Sequence, residues 1–394
     1  MLQSSIHRFL FIALSVVAIQ LSSYAAMAQN LKTSARNVLI VDMETGQTLF
    51  EKSADTPFPP ASMSKLMTAY VAFEMIKEGY VSLDTVTKVR PETWRKWRLK
   101  GSTMFLNANE EVTVEQLLKG IIIQSGNDAC VVLAEALAGS EDIYVDWMNA
   151  KAKELGMSGS VFKNVTGWPT EGHVMTAKDL YTLTSHMISD FPDLFALYGE
   201  KEYTHGVDSN TGKPITQPNR NPILYNVEGA DGMKTGHTDE AGYSLTGTAK
   251  RGDRRIVLVV TGLDSNRARA RESQRLMEYS FRNFKNYTLL QKGEVIENAN
   301  VWLGEEGLVP LVVAEDVKQS MSLSDRRSMK IKLKYDGPIP APIHVGQPLA
   351  SLSIETSSGT RIVPLVAGDS VEEVSGFGRI SAAFTYLLFG SAGN

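Results

Sequence analysis

The sequence predicts an α+β domain in which one antiparallel sheet is built from both ends of the domain. Residues 36–52 have the pattern of a hairpin, with an apolar run, a Glu-Thr-Gly turn and a second strand. Helical periodicity dominates from residue 61 to about residue 200, and strand patterns follow at 243–249 and 254–263. Because strands flank the helices on both sides, we expect the helical region to be inserted into a single sheet.

Four of the clearest helical patterns lie in the inserted region, and another follows the last strand. Each is indicated by apolar periodicity and by start and stop signals at its ends. They lie at 113–124, 128–139, 141–157, 176–191 and 269–287.

The character of the sequence changes at about residue 286. From there to about residue 370, short β-rich runs alternate with Gly, Pro and Asp turns, which is typical of a small sandwich. We therefore expect a first domain at 29–285 and a small all-β sandwich domain at 286–372.

The composition excludes several classes of protein. The formal net charge of the 394 residues is −4, which gives no electrostatic basis for binding nucleic acid. The single cysteine, Cys130, cannot form an internal disulfide and is expected to be a small buried hydrophobe. None of the six histidines pairs at metal-ligand spacing, so we expect no metal and no cofactor.

The N-terminus has the features of a secretory signal peptide. Arg8 precedes the apolar run 9–19, and Ala26-Met27-Ala28 matches the small-x-small cleavage pattern. We expect residues 1–28 to be removed and the mature chain to lie outside the cytoplasm. An N-terminal anchor or a core helix is the alternative.

The C-terminal segment, 373–394, is amphipathic if it is helical. Its positive charge is limited to Arg379, which weakens a membrane interpretation. The two interpretations are an interfacial membrane helix and a helix that packs onto the protein. The apolar face would consist of Phe377, Ile380, Phe384, Leu387 and Leu388.

A lysine lies in the first turn of a strongly apolar helix predicted at 61–76. The only charged residues of this helix are Lys65 and Glu74, and Ser62 lies three residues before Lys65. Positions three apart share a helix face, so the amine is expected to reach the serine oxygen. Burial favours a neutral amine, which can serve as general base for a serine nucleophile. In the alternative, Ser62 caps the helix and Lys65 extends to the surface.

A second polar motif, Ser125-Gly126-Asn127, forms a short turn between two apolar helices. Its simplest role is to cap the helix that begins near Asp128. As functional groups, the Ser125 hydroxyl can relay a proton, and the Asn127 amide can both donate to and accept from a peptide backbone.

A third motif, Lys234-Thr235-Gly236, lies just before the strand pair at 243–263. We expect it on a strand of its own that begins a three-stranded antiparallel run. Gly236 is expected to let a ligand lie close to the backbone, and Lys234 to add positive charge to a cleft. Alone, this tripeptide is an ordinary turn sequence.

Together and in this order, Ser-x-x-Lys, Ser-x-Asn and Lys-Thr-Gly are the signature set of serine penicillin-binding proteins and β-lactamases. The chain resembles the low-molecular-mass D-alanyl-D-alanine carboxypeptidases, of the penicillin-binding protein 5 type, over roughly residues 33–285. The resemblance implies a β-lactamase/transpeptidase-like first domain, with an antiparallel sheet and a helical subdomain. It is carried by the segments NVLIVDMETGQTLFEKSADTPFPPASMSKLMTAY, GIIIQSGNDACVVLAEALAGSED and DGMKTGHTDEAGYSLTGTA.

The resemblance also implies a role for each catalytic residue. Ser62 would attack the carbonyl between the two terminal D-alanines of the substrate, and Lys65 would take its proton. Ser125 and Lys234 would together pass a proton to the leaving D-alanine.

The same resemblance implies which groups bind the substrate. Asn127 would hold the peptide side, and Gly236 would let the peptide lie along the strand. The backbone amides of Ser62 and His237 would form the oxyanion hole, so the His237 imidazole would be incidental.

A carboxypeptidase must also recognise a free carboxylate. Thr235 can donate its hydroxyl, and an arginine suits the charge. Arg267, Arg269 and Arg271 lie where the family places that arginine, and the distance from the run RESQRLM favours Arg269.

Three tryptophans depart from the family pattern. Trp94 and Trp97 lie in the cleft-bordering segment 90–106, where small residues are expected, and Trp168 stands at a cleft-adjacent position. We expect these side chains to alter substrate access or preference.

We therefore expect a periplasmic serine D-Ala-D-Ala carboxypeptidase on the outer face of the inner membrane. Its substrate would be the peptidoglycan stem pentapeptide, and β-lactam antibiotics would be covalent inhibitors. The alternatives are an endopeptidase, a transpeptidase or a β-lactamase of the same fold, or a non-catalytic cell-wall-binding protein. A class A β-lactamase is disfavoured because no Glu-x-x-Leu-Asn run follows Asn127.

Overall fold

The structure, a computed structural model, describes residues 31–208, 211–357 and 359–376. The predicted signal peptide and residues 377–394 of the C-terminal segment lie outside the described residues. Two compact units divide the chain, Leu31–Asn286 and the residues from 287 onward. In the described ranges no helix combines the length and the hydropathy needed to cross a membrane.

The first unit is built on an antiparallel sheet of five strands. Its strands are Val38–Asp42 (β1), Gln47–Lys52 (β2), Val86–Lys88 (β3), Glu111–Thr113 (β4), Glu202–Val207 (β5), Pro214–Pro218 (β6), Ala230–Thr238 (β7), Gly242–Arg251 (β8) and Arg254–Leu263 (β9). The sheet order is β2–β1–β9–β8–β7, while β3 pairs with β4 and β5 with β6. The predicted sheet from both ends of the domain is thereby confirmed.

Most of the helices lie between β2 and β7, as predicted. They are Lys65–Lys77 (α1), Pro91–Trp97 (α2), Val114–Lys119 (α3), Asn127–Ala138 (α4), Glu141–Glu154 (α5), Ala177–Asp190 (α6), Pro192–Phe195 (α7), Ile223–Asn226 (α8) and, after β9, Asn266–Asn283 (α9). Shorter turns of other helix types occupy Ala61–Ser64, Gly120–Gln124 and Ala196–Gly199.

Both faces of the sheet are buried. Successive strand residues point to opposite faces, so Leu39 and Val41 of β1 enter the core shared with the inserted helices. Val38 and Ile40 enter the other core, which includes Leu276 of α9. The sheet is therefore a middle layer between α9 and the inserted helices.

Several predicted helices have different bounds in the structure, among them those predicted at 113–124 and 269–287. The segment 113–124 is α-helical only to Lys119 and continues as a π-helical turn, in which the Gly126 amide donates to the Gly120 carbonyl. The helix predicted at 269–287 begins at Asn266 and ends at Asn283. Arg254 Nη1 donates to the Phe284 carbonyl at 2.6 Å, which holds the chain extended after the helix.

The second unit is rich in strands, as predicted. They are Phe284–Leu290 (β10, which begins in the first unit), Val295–Trp302 (β11), Leu308–Val313 (β12), Val317–Ser322 (β13), Lys330–Tyr335 (β14), Ile339–Pro340 (β15), Pro348–Thr356 (β16) and Gly359–Ala367 (β17). A six-stranded sheet has the order β14–β16–β17–β12–β11–β15, and β10 pairs with β13. A short helix, Leu323–Ser328 (α10), was not predicted, although Ser322 and Asp325 form a capping box at its start.

Candidate active site

Ser62 lies in a 3₁₀ turn, Ala61–Ser64, immediately before α1. The α-helix predicted at 61–76 therefore begins later, at Lys65, and Ser62 lies in the 3₁₀ turn that precedes it. The turn is tightly held, because the Met63 amide donates to the Pro60 carbonyl and Ala61 has a φ of 49°. Ser62 is partly exposed, whereas Lys65 at the start of α1 is 1% exposed. The alternative in which Lys65 extends to the surface is therefore wrong.

The Lys65 amine has three oxygen neighbours. Its Nζ lies 3.0 Å from Ser62 Oγ, 2.8 Å from Asn127 Oδ1 and 2.5 Å from the Thr166 carbonyl oxygen. A neutral amine has two N–H groups and one lone pair. The two carbonyl-type oxygens can only accept, so in the neutral state the lone pair is left for the Ser62 hydroxyl.

The surroundings of Lys65 favour the neutral form. The pKa of its amine is lowered from 10.5 to about 8, mainly by burial and to a smaller extent by the positive charge of Arg220. The Cys130 thiol and the Asp128 carboxylate oppose this shift. Burial is the largest of these effects, so the pKa of Lys65 comes within reach of neutral pH.

Ser125 and Lys234 form a second hydroxyl–amine pair. Lys234 Nζ donates to Ser125 Oγ at 2.8 Å, and both side chains are buried. Burial and the nearby Lys65 hold the pKa of Lys234 well below its usual value. Ser125 closes the π-helical turn with a φ of 63°, a left-handed conformation that is costly for a residue other than glycine. This strained backbone directs the Ser125 hydroxyl toward β7.

Asn127, the first residue of α4, links the Ser62–Lys65 pair to the segment predicted to border the cleft. Its Nδ2 donates to the Lys100 carbonyl at 2.9 Å, which fixes the amide so that Oδ1 faces Lys65. Its backbone amide donates to the Ser102 carbonyl at 2.7 Å. A side-chain cap of α4 by the Ser125-Gly126-Asn127 motif is absent, because the residue at the N-cap position is Gly126. The Asp128 carboxylate accepts from the backbone amides of Met104 and Leu106, in the segment before β4.

Thr235, Gly236 and His237 lie on β7, the edge strand of the sheet, as predicted. A Cβ at Gly236 would lie 2.8 Å from the Pro60 carbonyl oxygen. Glycine at this position therefore lets the 3₁₀ turn of Ser62 lie against the strand, rather than only admitting a ligand. Thr235 is buried, and the exposed His237 ring lies 3.8 Å from the Tyr243 ring.

Of the three candidate arginines, the structure buries Arg269 and leaves Arg267 and Arg271 exposed. Arg269 donates to the Ser244 carbonyl at 3.5 Å and to Asn266 Oδ1 at 2.6 Å, and its Nε has no hydrogen-bond partner among the residues that the structure describes. Ser244 is the partner of Gly236 across the β7–β8 ladder, so Arg269 lies beside the Lys-Thr-Gly strand.

Sequence reasoning missed two groups at this site. Thr166 contributes a main-chain carbonyl, which leaves no side-chain signal in a sequence. Arg220 lowers the pKa of both Lys65 and Lys234, and its Nη1 donates to Ser102 Oγ at 2.5 Å. A lone arginine in the run QPNRNP has no motif that would have indicated it.

A cavity of about 470 Å³ opens beside the Ser62 turn. Its walls include Pro59, Ala61, Trp168 and Thr238, which places Trp168 beside the turn that carries Ser62. In the described chain no group of three or more His, Cys, Asp or Glu residues is placed to hold a metal ion.

Comparisons with known proteins agree with this geometry. The family model for D-alanyl-D-alanine carboxypeptidase matches residues 24–265, and that for the C-terminal domain of penicillin-binding protein 5 matches residues 284–373. The D-alanyl-D-alanine carboxypeptidase DacC of Escherichia coli is 35% identical over 353 residues, which are 88% of this chain and 86% of the relative.

Solved structures show the same architecture. Penicillin-binding protein 5 from Haemophilus influenzae has a TM-score of 0.73 at 28% identity, covering 88% of this chain and 99% of that one. Penicillin-binding protein D2 from Listeria monocytogenes, in its ampicillin-bound form, has a TM-score of 0.56 at 32% identity, covering 64% and 99%. The site contains a buried lysine beside a serine, with two further family motifs around them, and both family models match the chain in order. This chain therefore belongs to the D-alanyl-D-alanine carboxypeptidase family of serine hydrolases, the low-molecular-mass penicillin-binding proteins.

Proposed function

We propose that this chain removes the terminal D-alanine from peptidoglycan stem pentapeptides through an acyl-enzyme on Ser62. The observation that carries this proposal is the set of three oxygens around the Lys65 amine. Two of them hold the N–H groups of a neutral amine, so its lone pair is directed at the nucleophile. Family membership supplies the reaction class, and the geometry supports the assignment of residues.

The first step is attack on the carbonyl carbon between the two D-alanines. As the Ser62 Oγ–carbon bond forms, Lys65 accepts the hydroxyl proton, and the carbonyl oxygen becomes an oxyanion. The backbone amides of Ser62 and His237 would donate to that oxyanion, which is supported by the contact between the Ser62 turn and β7 at Gly236. Loss of one such donor typically lowers the rate by ~10²–10³-fold.

The second step breaks the carbon–nitrogen bond, and the leaving nitrogen must gain a proton. Ser125 and Lys234, whose Oγ and Nζ are 2.8 Å apart, are placed to pass on to it the proton that Lys65 took from Ser62, which returns Lys65 to its neutral form. Water then attacks the acyl-enzyme carbonyl while neutral Lys65 accepts a proton from it. When the bond between the acyl carbon and Ser62 Oγ breaks, Lys65 returns that proton to Oγ and Ser62 is regenerated. No step of this cycle requires an external oxidant, reductant or cofactor.

Recognition of the substrate uses groups on both sides of Ser62. Asn127 is proposed to hold the peptide backbone of the acyl donor, and Thr235 and Arg269 to bind the free carboxylate. The unpartnered Nε of buried Arg269 supports this, since a carboxylate can accept from it. β-Lactams would acylate the same serine, in keeping with the ampicillin-bound relative.

We further propose that the protein acts in the periplasm, at the outer face of the inner membrane. The sequence of residues 1–28 supports export, and the amphipathic segment 373–394 supports peripheral membrane contact. Deletion of 373–394 should move the protein from the membrane fraction to the soluble periplasmic fraction. Retention of the shortened protein in the membrane fraction would argue against the anchor.

The reaction is tested by D-alanine release from a stem pentapeptide that ends in D-Ala-D-Ala, comparing wild type with Ser62→Ala. Release by the wild type alone supports both the reaction and the nucleophile. If neither folded protein releases D-alanine, the proposal is wrong. In that case intact mass after penicillin treatment separates an endopeptidase or transpeptidase, which gains mass, from a binding protein, which does not.

A further inference from the structure

Three side chains from two segments meet beside the Lys65 site. Trp97 and Trp168 contact each other edge to face, with ring centroids 6.1 Å apart and planes inclined by 82°. The ammonium group of Lys100 lies 4.6 Å from the centroid of each ring. Trp97 is buried and Trp168 is 37% exposed, so the Lys100 cation is sheltered between two indoles at the edge of the cleft.

The segment that contains Trp97 and Lys100 orients Asn127 Oδ1, the first hydrogen-bond acceptor of the Lys65 amine. The Lys100 carbonyl accepts from Asn127 Nδ2 at 2.9 Å, and this hydrogen bond turns Asn127 Oδ1 toward the Lys65 amine. A displacement of Lys100 would therefore rotate or release the Asn127 amide.

The segment that contains Trp168 orients the Thr166 carbonyl, the second hydrogen-bond acceptor of the Lys65 amine. Asn164 Oδ1 accepts from the backbone amides of Thr166, Gly167 and Trp168 at 2.8–3.1 Å, so these residues form one tight turn. The Thr166 carbonyl of this turn lies 2.5 Å from Lys65 Nζ. The position of the Trp168 ring is thus coupled to the second acceptor through a short stretch of backbone.

The two segments approach each other without spare room. Gly101 has a φ of +72°, and a Cβ there would lie 2.8 Å from Asn127 Nδ2 and 3.0 Å from the Trp168 ring. The indole therefore rests almost directly on the backbone that follows Lys100. A shift of the Trp168 ring toward residue 101 would therefore press directly on the chain that follows Lys100.

We propose that Trp97, Lys100 and Trp168, here called the aromatic clamp, are positioning residues for the acylation of Ser62. The clamp joins the two segments through cation–π and edge-to-face contacts, and so holds Asn127 Oδ1 and the Thr166 carbonyl against the Lys65 amine. This inference rests on the proposed function, because it assigns the clamp a part in that acylation step. None of the three residues belongs to the motifs that define the family.

The clamp is distinct from the charged and titratable groups that face Lys65. Those groups are Asp128 and Cys130 on α4, Lys234 on β7, and Arg220 and His173 on loops. Loss of the clamp would act on Lys65 through its hydrogen bonds and its access to water. With looser acceptors, water would reach the amine, and the pKa of Lys65 would rise toward its ordinary value.

The test measures the acylation rate with a fluorescent penicillin across pH for Lys100→Met, Trp168→Leu and the double variant. Each single variant should slow acylation by about tenfold, since small displacements of catalytic groups have effects of this size or larger. The acidic limb of the pH profile should move to higher pH. The double variant should be no slower than the singles, because either change opens the same clamp.

Two control variants separate the clamp from simpler explanations. Lys100→Arg keeps a cation that can stack on indole rings and should stay near wild type. Lys96→Met removes an exposed cation that lies 5.6 Å from the Trp97 ring alone, and should also stay near wild type.

Several results would overturn the proposal that the aromatic clamp positions the acceptors of Lys65. A lowered thermal midpoint with an unchanged pH profile would mean a merely structural role. A shifted profile in Lys100→Met but not in Trp168→Leu would mean that the charge acts alone. If Trp168→Leu fails to fold, Trp168→Met takes its place, because it also removes the indole and leaves the Lys100 charge unchanged. Wild-type protein that is not acylated at all overturns the proposed function, and the clamp with it.

Discussion

At the residue scale, the account depends on one buried amine. Lys65 is 1% exposed, and a charged group at such depth is destabilising unless it is paired. Its three neighbours are a hydroxyl and two neutral carbonyl oxygens, none of which is a carboxylate. A site built in this way favours the neutral amine, which is the form that can accept a proton.

The pH dependence of acylation follows from this amine. Lys65 accepts a proton only when neutral, and its pKa is about 8. The rate of acylation by a fluorescent penicillin should therefore rise about tenfold per pH unit at lower pH and level off above about pH 8. Stopped-flow measurements over about pH 5 to 10 would check this. A rate that does not change between about pH 6 and 8 would contradict the assignment of Lys65 as base.

Arg269 is the residue proposed to recognise the free carboxylate. Arg269→Gln should lower the preference for a free C-terminal carboxylate over the corresponding amide by about 10–100-fold, the range for hydrogen bonds to charged groups. Rates of D-alanine and D-alaninamide release from paired peptides would measure this preference. The control is Arg267→Gln, an exposed arginine two residues earlier on α9. An unchanged preference in folded Arg269→Gln would exclude the role.

The sequence alone predicts which side chains form the candidate site, but it does not predict which main-chain groups contribute to it. Ser62, Lys65, Ser125, Asn127 and Lys234 could be selected because their chemical types recur at motif spacing. Their hydrogen-bonded distances in the structure are consistent with that selection. The Thr166 carbonyl could not be found in this way, because every residue carries the same group.

At the scale of elements, the site is made by close approach of a turn and a strand. The 3₁₀ turn of Ser62 lies against β7, where a Cβ at Gly236 would come within 2.8 Å of the Pro60 carbonyl oxygen. The absence of a side chain at residue 236 therefore lets the Ser62 turn lie directly against β7.

Gly236→Ala tests this contact. The added methyl group must push the turn and the strand apart, so acylation by penicillin should slow by at least about tenfold. Gly199→Ala is the matched control, because the nearest atom to its Cβ would be the Asp231 carbonyl oxygen at 3.7 Å, an ordinary contact. Equal acylation rates in the two variants would contradict the proposed oxyanion geometry.

The elements that sequence analysis missed are short or irregular. The apolar period of 113–124 predicts a helix but cannot distinguish an α-helix from the π-helical turn at Gly120–Gln124. That turn, and the left-handed Ser125 that ends it, depend on tertiary contacts such as Gly120 against Met104. The helix at Leu323–Ser328 has only six residues, too few for a periodic signal.

At the scale of the whole molecule, the proposed catalytic residues all lie in the first unit, Leu31–Asn286. This unit has its own cores on both faces of its sheet, and the strand-rich second unit has a separate core around residues such as Leu311 and Leu365. We therefore expect the chemistry to be independent of the second unit.

A fragment that contains only Leu31–Asn286 should fold and be acylated by penicillin at close to the rate of the full chain. A shorter fragment that ends at Leu263 lacks α9, which supplies Leu276, Met277 and Arg269 to the covered face of the sheet, and should not fold. Circular dichroism and intact mass after penicillin treatment would measure both properties. A folded but unreactive longer fragment would show that the second unit takes part in catalysis.

The most direct test of the central claim, that neutral Lys65 is the base for Ser62, is intact mass of Lys65→Arg after penicillin treatment. Arginine keeps the charge and much of the length but cannot deprotonate in a protein. We predict that the folded variant gains no mass during the time in which the wild type becomes fully acylated. Acylation of Lys65→Arg at near the wild-type rate would contradict the account.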